Sequence, residues 1–75
     1  MTLSEVGVGS KAIISSLSSN QLIRAKLLDL GMIPGTQLTI KRQLSWSKSI
    51  QVNVRQANLI IRHSMADEIK VQVVK

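Results

Sequence analysis

Hydrophobic positions along this chain keep two different periods. Between residues 20 and 36, NQLIRAKLLDLGMIPGT, Ile23, Leu27 and Leu30 recur at i, i+4 and i+7. That is the spacing of one face of a helix, so a helix is predicted from residue 20 or 21 to residue 30. Ser19 or Asn20 can cap its N-terminus, because a short oxygen-bearing side chain accepts from an unpaired N–H of the first turn. Gly31 stands where a helix end favours a left-handed residue, and Pro34-Gly35 supplies turn chemistry. Everywhere else the period is two. Ala12 and Ile14 share a face in residues 11–17, Leu38 and Ile40 in 36–42, and Ile50, Val52 and Val54 in 49–55. Leu59 and Ile61 follow in 59–62, then Ile69, Val71 and Val73 in 68–75. Residues 1–9 read as a short extended lead-in, 44–48 as a hairpin tip and 63–67 as a single-turn or irregular link.

Five short alternating strands with one helix between the first two predict a mainly β fold. A small antiparallel barrel is the arrangement that leaves few free sheet edges. With 75 residues the chain makes one domain, residues 1–75, with a small core. Two positions stay open at this point. Leu28 lies off the helix stripe, so either an adjoining loop covers it or it is an exposed apolar spot. Trp46 lies between serines outside any alternating run. Either it folds back over an open barrel end, or it is an exposed anchor for a partner.

Composition narrows the chemistry. There is no Cys, so there is neither a disulfide framework nor a thiolate metal site. No apolar run approaches the ~20 residues that span a bilayer, and residues 1–11 do not read as a secretory leader. A cytoplasmic location is expected. Net charge is +6, which suits an acidic partner. The bases are dispersed, however, and Trp46 is the one aromatic, which argues against a nucleic-acid stacking platform.

Catalytic groups are scarce. His63 is the single histidine, no phosphate-binding glycine motif occurs, and Asp67 and Glu68 are adjacent, not facing. An enzyme is not expected, and no cofactor is indicated. His63 and Asp67 would share a face if residues 63–67 formed a helical turn. They make a weak metal pair at best, because transition-metal sites take three or four protein ligands.

The whole chain resembles the FeoA family, small SH3-like proteins of bacterial ferrous iron uptake. The most specific stretch is LLDLGMIPGTQLTI, residues 27–40: a helix end, Leu-Gly, Pro-Gly and an alternating strand. The tail NLIIRHSMADEIKV, residues 58–71, is similar to the family's closing pattern. One stretch departs. Where FeoA-like proteins often carry a Gly-Asp-Pro-type turn, this chain reads Ser45-Trp46-Ser47-Lys48-Ser49.

The resemblance implies an SH3-like barrel that supports FeoB, the membrane ferrous iron transporter, by protein–protein contact. It also implies association with a transition metal, for which this sequence offers no convincing ligand set. On that implication the partner surface comprises Arg24 and Leu28 on the helix, Met32 and Pro34 in the turn after it, and Trp46. Peripheral membrane association and a homo-oligomer paired through sheet edges are compatible with it. The alternative is a basic small barrel that binds nucleic acid or the ribosome, and a metal-dependent repressor module is a third, weaker reading.

Overall fold

Runs of alternating polarity become strands in the computed structural model, which describes residues 1–74. A 3-10 turn at Leu3–Glu5 precedes β1 (Lys11–Ser16), α1 (Gln21–Asp29), β2 (Gln37–Leu44), β3 (Ser49–Val54), β4 (Ala57–Arg62), α2 (His63–Ala66) and β5 (Lys70–Val74). The strands form one sheet in the order β4-β3-β2-β1-β5, each pair antiparallel. Curled on itself, the sheet is a small barrel, with no ladder between β4 and β5 among the described residues.

Register follows from burial. A one-residue slip would turn every apolar side chain outward, so the inward residues align across the sheet. Ala12 faces Leu38, which faces Val54; Ile40 faces Val52, which faces Leu59; Ile14 faces Val71. These residues, with Leu27, Met32, Ile50, Ile61, Ala66 and Ile69, build one apolar core, against which Leu59 packs half-buried. A bulge at Lys41, between the Ile40 and Arg42 pairings, shifts the β2–β3 register and bends β2.

The N-terminal segment differs from the extended lead-in expected of it. Leu3 and Val6 are buried, so residues 3–5 coil to bring both into the core. The same segment lies along β5. The N–H of Leu3 donates to the carbonyl of Ile69 at 2.8 Å, and the N–H of Val71 donates to that of Met1 at 2.9 Å.

Two further expectations are corrected. Leu30 was placed in the helix stripe but is exposed, because it is the C-cap residue, where the helix already turns away from the barrel. Val73 faces Ala12 near the end of β5 yet is exposed.

Candidate partner surface

Asn20 starts α1. Its side-chain oxygen accepts from the N–H groups of Leu22 at 2.9 Å and Ile23 at 3.2 Å, satisfying two donors the helix leaves free. The other end closes through Gly31, at φ +87°. The N–H of Gly31 donates to Leu28 and that of Met32 to Leu27, both at 3.0 Å. This paired closure brings the residue after the glycine back onto the helix's last buried turn. Met32 is therefore buried with Leu27, which removes it from any partner surface. Its place was set by the helix end and not by any period in the sequence.

The next turn is held as firmly. Thr36 N–H donates to Ile33 at 2.9 Å, with Pro34 and Gly35 between them and Gly35 at φ +92°. That is a type II turn, which needs positive φ at its second central residue. Gly35 N–H then donates to Ile14 at 2.7 Å and Ile14 N–H to Thr36 at 3.0 Å, fixing the turn on β1.

What α1 shows to solvent is more apolar than a surface helix requires. Leu27 is its one buried residue and Ile23 is half-buried. Leu22 is 78% exposed, Leu28 is 42% exposed, and Ala25 between them is exposed as well. At 100° per residue these three span an arc of about 120° on the outer side. Arg24 and Lys26 border this arc, Asp29 sits at its C-terminal end, and exposed Leu30, Ile33 and Pro34 continue it past the helix. Leu28 is thus the exposed spot of its two readings, and Leu22, Leu30 and Ile33 join it. Leu22 was legible in principle: Leu22, Ala25 and Leu28 repeat every third residue, a second stripe opposite the core-facing one.

Trp46 is 86% exposed, the most exposed large apolar side chain among the described residues. Its turn is tied shut beneath it. Ser47 N–H donates to Leu44 at 3.1 Å, Lys48 N–H to Ser45 at 3.3 Å, and the Ser49 hydroxyl to Ser47 at 3.2 Å. The indole does not fold back over the barrel. It is separated along the chain from the Pro34-Gly35 turn by the whole of β2. That turn enters β2 at Gln37, and Trp46 lies past the other end at Leu44, with roughly 25 Å of strand rise between them.

The metal pair is occupied with other work. His63 and Asp67 do share a helical turn, Asp67 N–H donating to His63 at 2.9 Å. However, His63 Nε2 lies 3.2 Å from Gln43 Oε1, and Asp67 Oδ1 accepts from the Ser4 hydroxyl. No three His, Cys, Asp or Glu side chains converge among the described residues. That donor set does not fit a bound transition metal. Arg24, Lys11, Lys41 and Arg55 fall on four elements: α1, β1, the β2 bulge and the β3–β4 turn. Among the described residues no helix is long and apolar enough to cross a membrane.

Comparison with known proteins sets these features in a family. The FeoA domain model matches residues 1–73. FeoA from Chlorobium tepidum superposes with a TM-score of 0.89 at 31% identity, covering 100% of this chain and 71% of that one. FeoA from Stenotrophomonas maltophilia, solved with zinc and described as a prokaryotic SH3 domain protein, gives 0.82 at 25% identity, over 96% and 89% of the two chains. A manganese-dependent transcriptional repressor shares the fold alone, with a TM-score of 0.90 at 15% identity, over 97% of this chain and 40% of that one. No curated protein sequence matches the chain.

Proposed function

The chain belongs to the FeoA family and has that family's role in ferrous iron transport; on that premise we propose that it works as a cytoplasmic accessory protein, without catalysis, by docking on the FeoB transporter. The observation that carries the reading is the outward stripe Leu22, Ala25 and Leu28 on α1, extended by Leu30 and Ile33 and bordered by Arg24 and Lys26. A helix with apolar residues on both its core and solvent faces is covered twice, once by its own barrel and once by something else. Its basic border suits an acidic rim on the transporter's cytoplasmic part, with nearby anionic lipid as a secondary attraction. Trp46, remote along β2, supplies a separate anchor for the same partner.

Recovery of FeoB from detergent-solubilised membranes by the immobilised chain tests this. Leu22→Asp and Leu28→Asp should each cut recovery severalfold while leaving the fold intact, and Trp46→Ala should cut it less. Full recovery with both helix variants would remove α1 from the interface. No recovery by the unaltered chain, with RNA retained and lost as salt rises, would replace the reading with nucleic-acid binding.

A further inference from the structure

We propose that the free edge of β4 is a second binding site, which takes an extended acidic segment of another protein as a sixth strand. This does not depend on the α1 surface or on the identity of the transporter.

The two edges of the sheet are treated differently. β5 is covered over residues 69–71 by the N-terminal segment, through the Leu3–Ile69 and Val71–Met1 hydrogen bonds and the Thr2–Lys70 bridge. Among the described residues β4 pairs with β3 alone. Its six residues run from Ala57 opposite Val54 to Arg62 opposite Ser49 with no shift, whereas the β1–β5 and β2–β3 ladders each carry one. An edge strand is usually blunted by a bulge, a proline or an inward charge. β4 has none of these: its sequence is ANLIIR, and its one charge, Arg62, is at the end and exposed.

The direction of the unused groups follows from the hairpin. Arg55 and Gln56, at φ +52° and +70°, form its two-residue turn. The pair flanking such a turn, Val54 and Ala57, exchanges both backbone hydrogen bonds, and the exchange repeats every second residue. The N–H and C=O groups of Ala57, Leu59 and Ile61 therefore face β3, and those of Asn58, Ile60 and Arg62 face the open side. The C=O of Arg62, the N-cap of α2, is taken by the first turn of that helix; no backbone partner from a turn, loop or cap reaches Asn58, Ile60 or the Arg62 N–H among the described residues. Their side chains share the outer face, where Ile60 is 65% exposed.

Charge selects the occupant. Residues 30–66, which hold β2, β3 and β4, contain Lys41, Arg42, Lys48, Arg55 and Arg62 and no Asp or Glu. Arg42 lies in the same outer row as Ile60, across Gln51, and Lys48 is joined to the end of β4 by the His63 N–H at 2.9 Å. A second copy would bring the same positive field and be repelled. A strand with alternate acidic side chains on the outer face, beside Asn58, Ile60 and Arg62, would be attracted and would find the main-chain donors and acceptors of Asn58 and Ile60 and the N–H of Arg62 waiting.

The test is a titration of the isotope-labelled chain with a short synthetic peptide of alternating glutamate and valine, with a lysine–valine peptide as control. Amide shifts should centre on residues 57–62 and those of β3 opposite, with slowed exchange at Asn58, Ile60 and Arg62. Affinity should fall as salt rises, and the control should not bind. Ile60→Pro removes an outward N–H that the β3 ladder does not use, so the fold should survive and affinity should drop by about tenfold or more. Arg62→Glu leaves the backbone untouched and should weaken the acidic peptide while admitting the basic one. Shifts confined to α1, equal binding of both peptides, or β4 shifts that appear on concentrating the chain alone would each overturn the proposal.

Discussion

β3 and α1 use their apolar residues in opposite ways. In β3 the inward positions Ile50, Val52 and Val54 are all buried, and the outward positions Gln51 and Asn53 are polar. In α1 only Leu27 is buried, while Leu22, Ala25 and Leu28 look out. A strand in mid-sheet has neighbours on both sides and a core beneath it, so its two faces are fixed by the ladder. A nine-residue helix laid across a small barrel touches the core along a single line. Regularity in β3 thus reports folding, and the excess in α1 is not accounted for by the core.

The largest effects should follow buried volume in both regions. Ile50→Ala in β3 and Leu27→Ala in α1 should each cost about 2–5 kcal/mol, and Leu28→Ala should stay within about 0.5 kcal/mol. Urea unfolding of the three variants reads this directly. A Leu28→Ala loss equal to that of Leu27→Ala would erase the distinction between the two helix faces. Next in size is the cap. Asn20→Ala should cost about 1 kcal/mol, because two first-turn N–H groups lose their acceptor. A similar gain is expected where β3 turns into β4. Replacing Arg55-Gln56 by Asn-Gly should stabilise by about 1 kcal/mol, since both positions are left-handed and neither present residue favours that region. An unchanged urea midpoint would show that the turn is not strained.

The smallest effect concerns the N-terminal segment. Thr2 N–H donates to Glu5 at 2.9 Å, and this bond, with the Thr2 hydroxyl, holds the Glu5 carboxyl below its ordinary pKa. A carboxyl lowered in the folded state contributes stability above its unfolded pKa and loses it as pH falls through the folded value. Protection of the Leu3 amide should therefore decline on acidification below about pH 4.5, and Glu5→Gln should remove that decline. Equal pH profiles in the two proteins would leave Glu5 without a part in anchoring the segment.

Legibility in the sequence tracks the same contrast. Strand faces were readable because a period of two has only two outcomes and the core takes one of them. Leu30 and Met32 were misplaced because helix closure, and not periodicity, decides which of them turns inward. Trp46 could not be assigned from its neighbours. The hydrogen bonds that shut residues 45–48 beneath it come from serine hydroxyls and backbone, which leave no apolar signature. Strand order is another quantity that alternation cannot show. The uncovered edge of β4 becomes visible only when residues 1–3 are seen lying along the opposite one.

That closure between the two ends of the described chain sets a timetable for synthesis. β1 and the segment before it both pair with residues 69–74, made more than fifty positions later. At about 5–20 residues per second, the ribosome leaves Leu3, Ala12 and Ile14 without their partners Ile69, Val73 and Val71 for several seconds. The barrel is therefore expected to complete only after β5 has left the exit tunnel. Limited proteolysis of stalled nascent chains should find the shorter ones cut within residues 1–16 and the released chain resistant there.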